Sequence, residues 1–288
     1  MTRPARIVDA HLHLWDPART DWYPYLSGAM QLDLGDTAGM NRRFDVPTYR
    51  AESTGWNVEK LVNVAAATGP HSVDETLELE ERAEADGHPD AIVGGLPPPT
   101  GSVADAIAAI DRQMAATRFR GVRPMGQPKA PVPEPEVLRA LAERNLVLDV
   151  MAHADQLVAA AQALEAVDDL TVVVEHTGWP RTGTAEERAL WREGMAALAG
   201  LGDRVVCKLS GLAMPLGSMA PEAFAPWIEP AIELFGPDRC MFASNFPVDG
   251  LHGTLDELFT TYATLTAGLD DAAREQLFAT TAERVYRC

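Results

Sequence analysis

The chain has 288 residues, 47% of them apolar and 23% charged, which is the balance of a folded globular protein and not of a disordered one. Its formal charge of −18 sets its mean field against nucleic-acid phosphates, and no apolar run reaches the roughly 20 residues of a membrane helix. The expected partner is therefore a small molecule, with no nucleic acid and no membrane, and a homo-oligomer is left open.

Cys207, Cys240 and Cys288 are widely spaced with no CxxC pair, so reduced thiols are expected in place of a disulfide framework or a structural zinc site. The opening MTRPARIVDAHLHLW passes from a short basic start into a strand pattern, not into an apolar secretory segment, and the expected location is the cytoplasm.

In chain order, a strand-type run at 7–14 comes first. The segment 15–59 follows, unusually long for one strand-to-helix connection and carrying Trp15, Trp22, Tyr23, Tyr25 and Trp56. Such long connections cover or shape a site in barrel proteins, or pack as an extra element on the rim. Further strand-type runs lie at 61–67, 91–96, 119–125, 146–153, 170–177, 205–212 and 239–246. Between them are Ala- and Glu-rich periodic stretches at 73–86, 103–116, 134–144, 155–167, 185–199 and 221–235. The proline-bearing stretches 97–99 and 128–135 read as rigid loops.

Strict alternation of strand and helix implies parallel βαβ units, and eight of them imply closure into a single-domain α/β TIM barrel, (β/α)8, over 1–288. A doubly wound open sheet is the structural alternative, but no GxGxxG motif or P-loop follows an early strand.

His11 and His13 are one residue apart in the first strand-type run, and a strand repeats its side-chain direction every second residue. Both imidazoles are expected to point the same way, toward the barrel mouth, where neutral ring nitrogens could bind one metal ion or grip one substrate. His153 and His176 stand where two other strands are expected to end, so four histidines meet at one mouth. Lys208, inside the seventh run, needs a carboxylate partner or a polar cavity, and Ser210 shares its face. Ser210 and Ser244 lack the GxSxG setting of a serine nucleophile.

Four segments, Asp9-Ala-His-Leu-His-Leu-Trp-Asp-Pro17, Phe119-Arg-Gly-Val-Arg123, Val174-Glu-His-Thr-Gly-Trp-Pro180 and Arg239-Cys-Met-Phe-Ala-Ser-Asn-Phe-Pro-Val248, together resemble the amidohydrolase-related family that contains sugar-lactone and pyrone-dicarboxylate lactonases. The ending at 281–287 resembles that family's C-terminal helix, and the segments run in the family's order. The resemblance implies an amidohydrolase-like barrel with His11, His13, His153 and His176 around the reacting centre, as ligands of one divalent metal, zinc first. Some lactonases of the family dispense with the metal, so a metal-independent enzyme stays open as the alternative. Arg123 takes the place of an arginine that binds a substrate carboxylate or carbonyl, with Trp15, Trp179 and Lys208 as further substrate contacts.

Where the family has a water-activating aspartate after strand eight, this chain has Asn245, whose amide has no usable basicity near neutral pH. Asp249, four residues on, is the substitute base expected here, its bland reading being a turn carboxylate before Gly250. The expected reaction is water attack on the ring carbonyl of a cyclic ester, a sugar lactone or carboxylated lactone, with His176, Asn245 and Asp249 as the catalytic set. Decarboxylation of a related acid is one alternative, and an inactive binding protein is another.

Overall fold

A barrel strand is covered by helices outside and by side chains within, which is why the strand-type runs are dominated by Val, Ile and Leu on both faces. The computed structural model describes residues 2–28, 30, 36–97, 101–125 and 131–288. In it, β1 (Ile7–Leu12), β2 (Val58–Val64), β3 (Ala91–Leu96), β4 (Phe119–Pro124), β5 (Val147–Val150), β6 (Val172–Val174), β7 (Val205–Leu209) and β8 (Cys240–Phe242) form one eight-stranded sheet. All seven adjacent pairs are parallel and the spatial order is the sequence order. That order excludes the doubly wound alternative, whose strand order reverses at a switch point.

The two sheet edges meet through a parallel bridge between Leu12 and Phe246, with His13 N donating to Phe246 O at 2.8 Å and Asn245 N donating to His11 O at 2.7 Å. The fold is thus a nearly closed, single-domain (β/α)8 barrel. The outer layer contains α1 (Val46–Glu52), α2 (His71–Asp86), α3 (Val103–Gln113), α4 (Pro135–Glu143), α5 (Leu157–Leu164), α6 (Ala185–Ala199), the short α7 (Ala213–Leu216) and α8 (Pro221–Phe235). Three more, α9 (Leu255–Leu265), α10 (Asp271–Glu275) and α11 (Thr281–Tyr286), end the chain. None of the described helices is long and apolar enough to cross a membrane. Of the two expected proline loops, residues 98–99 and 128–130 lie outside the described residues.

Inside the barrel Val8, Ala10, Val62, Val64, Ala91, Val93, Val147, Val173 and Val206 pack with Ala279, Ala282, Val285 and Tyr286 from the chain's end. Arg6, just before β1, bonds both Glu283 oxygens at 2.8 Å, and Lys60 in β2 bonds Glu283 at 2.6 Å, which clasps α11 under the strand starts. Close approach of β4 and β5 requires glycine at Gly121, where a Cβ would stand 2.2 Å from the Val147 carbonyl oxygen.

Several strands stop short of the expected runs. The run 170–177 ends as a strand at Val174, 146–153 at Val150 and 239–246 at Phe242. In each case the following residues leave the strand ladder. Cys207 and Cys240, on adjacent strands, are buried free thiols, and Cys288 is also free.

Candidate active site

Two irregularities of the backbone bring the polar residues together. Between Asp9 and Leu12 of β1 the register against Leu61 and Asn63 of β2 slips, so one strand advances three residues and the other two. A bulge of this kind re-aims side chains. Val8 and Ala10 belong to the apolar barrel interior, and past the bulge His11 and His13 take over the inward face. Asp9 anchors the turn, accepting Ser244 N at 2.8 Å and the Tyr49 hydroxyl at 2.7 Å.

The second irregularity follows β6, where His176 (φ 54), Thr177 (φ 55), Gly178 (φ 67) and Trp179 (φ 40) are all left-handed. Only glycine takes this region without strain, and for a β-branched residue such as Thr177 it is rare. The turn allows two successive side chains, Glu175 and His176, to face the same point. Gly211 (φ +69) makes room for them, since a Cβ there would lie 2.5 Å from His176 Nδ1.

His11 Nε2 and His13 Nε2 are 3.3 Å apart, and the His11 ring centroid is 4.6 Å from that of His176. His13 Nδ1 is fixed by the Val64 carbonyl at 2.8 Å, and His176 Nδ1 by the Ser210 hydroxyl at 3.0 Å. Glu175 Oε1 lies 3.4 Å from His11 Nδ1 and has no hydrogen-bond partner, while Oε2 lies 3.5 Å from Arg123 Nη1. Arg123, partly exposed, also donates to Ala65 O at 2.6 Å.

Lys208 is fully buried and ion-paired to Asp149 at 2.7 Å, the partner type expected of it, and its Nζ stands 3.4 Å from His11 Nδ1. The Tyr286 hydroxyl donates to the same Asp149 carboxylate at 2.9 Å.

Burial, reinforced by the Lys208 charge, holds the His11 imidazole well below its ordinary pKa; burial and the Arg123 charge do the same for His176 and bring His13 down to about 3. All three rings are therefore neutral near pH 7 and have lone pairs to offer. Burial pushes the Glu175 carboxyl up to about 6, opposed by the Arg123 and Lys208 charges.

Asn245, itself left-handed (φ 55), donates Nδ2–H to Asp249 Oδ1 at 2.8 Å. Asp249 is buried behind that amide, and burial pushes its carboxyl up to about 7 despite the Asn245 hydrogen bond.

Of the expected ligands, the structure gathers His11, His13 and His176. His153 stands apart: it follows β5, its ring 6.2 Å from that of Trp179, which in turn packs 4.9 Å from His176. The ligand-capable group found is His11, Glu175 and His176, each offering an atom within 4.8 Å of the others. Trp179 is half-exposed at the mouth, whereas Trp15 is buried behind His13, its ring nearly parallel to the imidazole at 6°. Tyr23 and Tyr25, from the long segment after β1, bond Glu75 Oε1 at 2.8 Å and Ala66 O at 2.9 Å.

Sequence reasoning missed Glu175 and Asp149. Glu175 directly precedes a histidine in a strand of valines, where a charge needs a reason, and that was the available signal.

The donor set suits a divalent ion. Two nitrogens on one tetrahedral zinc, each at about 2.0–2.1 Å, are about 3.3–3.4 Å apart. The two Nε2 atoms of the HxH pair meet that separation, and the buried Glu175 carboxylate, one oxygen of which has no hydrogen bond, offers an atom within 4.8 Å of ligand atoms of His11 and His176.

The amidohydrolase family model matches residues 8–288. The uncharacterized protein y4mH of Sinorhizobium fredii is 32% identical over 297 residues, covering 98% of each chain. The L-fucono-1,5-lactonase of Burkholderia multivorans is 28% identical, covering 97% of this chain and 95% of its own. Among solved structures, an amidohydrolase of Burkholderia multivorans superposes with TM-scores of 0.80 with HEPES bound and 0.79 with zinc bound, at 24% and 23% identity, covering 98% of this chain and 99% of that one. The 5-carboxyvanillate decarboxylase of Sphingomonas paucimobilis superposes at 0.67 with 13% identity over 99% of each chain, a likeness of fold.

Proposed function

Because this chain belongs to the amidohydrolase family, we propose that it hydrolyses a cyclic ester, a sugar lactone or carboxylated lactone, by attack of water on the ring carbonyl. The observation that carries the reading is the convergence of three neutral imidazoles on one buried point, with the Arg123 guanidinium partly exposed beside it. A carbonyl is polarised there by ring N–H groups or by an ion that the imidazoles hold, and a planar guanidinium suits a substrate carboxylate or ring oxygen. The lactonase relatives at 28% identity support this choice of substrate class.

Asp249 is the base in this reading. At a pKa of about 7 it has the basicity that water activation near neutral pH calls for, and Asn245 holds one oxygen of the carboxylate. Trp179, half-exposed against His176, offers an apolar face to a sugar ring, and Trp15, Tyr23 and Tyr25 pack together as buried aromatic rings behind His13.

His11, His13, His176 and Glu175 would hold a divalent ion, zinc by the nitrogen-rich donor set. Such an ion supplies Lewis acidity toward the carbonyl. Asn245 in the place of a carboxylate favours a second reading, decarboxylation of a related acid, which needs no water-activating base. Metal analysis of the purified protein and a lactone panel followed by acid release test both. Acid release supports lactone hydrolysis, whereas carbon dioxide from carboxylated substrates without ring opening transfers the site to the second reading.

A further inference from the structure

In the metal-free protein the contacts around the HxH pair favour one tautomer of His11. The Val64 carbonyl can only accept, so His13 Nδ1, 2.8 Å away, carries the proton and His13 Nε2 presents a lone pair. His11 Nε2 faces that lone pair at 3.3 Å and must itself carry a proton to donate. His11 Nδ1 is then an acceptor, and the atom beside it is Lys208 Nζ at 3.4 Å. Glu175 Oε1 is also 3.4 Å from His11 Nδ1, and the two make no hydrogen bond.

The other neutral tautomer reverses each of these relations. With its proton on Nδ1, His11 places that hydrogen near the Glu175 carboxylate, whose Oε1 is 3.4 Å from Nδ1, and both Nε2 lone pairs face one point at the spacing of two zinc ligands. No change of ring charge separates the two states.

We propose that Lys208 sets the tautomer of His11 and thereby restrains metal uptake by the HxH pair. The Lys208 ammonium, held by Asp149 at 2.7 Å with the Tyr286 hydroxyl on the same carboxylate, stabilises the tautomer in which His11 accepts from it. Glu175 stabilises the opposite one. Lys208 is thus a positioning residue acting through His11, and the choice of substrate does not enter the argument.

The test uses the full-length protein. In the metal-free wild type, 15N spectra of ring-labelled histidine are expected to show His11 protonated on Nε2 and His13 on Nδ1. Lys208→Met is expected to move the His11 proton to Nδ1 and to tighten zinc binding, titrated with the metal alone, by at least about tenfold. Removing one partner of a buried ion pair can unfold a protein, so Lys208→Met/Asp149→Asn, which leaves no unpaired carboxylate, serves as the second variant. A wild-type His11 protonated on Nδ1, or zinc affinity unchanged in a folded variant lacking Lys208, overturns the proposal.

Discussion

Replacing Asp249 by asparagine keeps volume and polarity and removes only basicity. With the carboxyl at about 7, the ionised fraction, and with it kcat, falls about tenfold for each pH unit below 7 in the wild type. Loss of a general base costs about 10²- to 10⁴-fold in kcat, or about 3–5 kcal/mol, so Asp249→Asn should lose that much at pH 8 and show a flat acidic limb.

The same shift predicts an opposite effect on stability. Between the ordinary value of 3.8 and about 7 the folded state keeps a proton that the unfolded chain releases, so wild-type stability declines as pH rises through that window. The three units correspond to at most about 4 kcal/mol at pH 8, which Asp249→Asn recovers. Asn245→Ala, which removes a hydrogen bond that favours the carboxylate, should cost less kcat and move the acidic limb to higher pH. Steady-state kinetics on the best lactone from pH 5 to 9, with urea melts of the same samples, measures all of this. Wild-type kcat with an unchanged pH profile in Asp249→Asn refutes the base assignment, and Glu175 is then the next carboxylate to substitute.

His13→Ala should reduce kcat by at least about 10²-fold while leaving the melting temperature within a few degrees, since the ring contributes to the site more than to packing; full activity in the folded variant removes His13 from the reaction. Arg123→Lys should raise KM about tenfold with little change in kcat, because an ammonium cannot form the paired hydrogen bonds of a guanidinium. Glu283→Gln should cost about 1–2 kcal/mol at pH 7, the clasp being partly open to solvent. The Glu283 carboxyl is held down at about 2 by its hydrogen bonds to Arg6 and then Lys60. Its contribution is therefore present above pH 4.5 and lost toward pH 2, so the gap between the denaturant curves of wild type and Glu283→Gln should be narrower at pH 3 than at pH 7.

The barrel was legible because βαβ alternation and apolar strands are local patterns. HxH was legible because two residues two apart share a face whatever the rest of the chain does. The bulge after Asp9 and the left-handed turn at His176 were not, since nothing local in Ala10 or Thr177 announces them, and strand lengths were accordingly overestimated at 170–177. Glu175 escaped for the same reason: by strand alternation it and His176 would face opposite ways, and only the turn unites them. Lys208 was recognised as needing a carboxylate, yet Asp149, 59 residues away, could be named only from coordinates.

The position of the oxygen added by the reaction tests the central claim most directly. With the best lactone turned over in 18O-enriched water, attack on the ring carbonyl predicts one label in the new carboxylate, one proton released per ring opened and no carbon dioxide. Label in the former ring hydroxyl, or carbon dioxide with no label incorporated, contradicts the account.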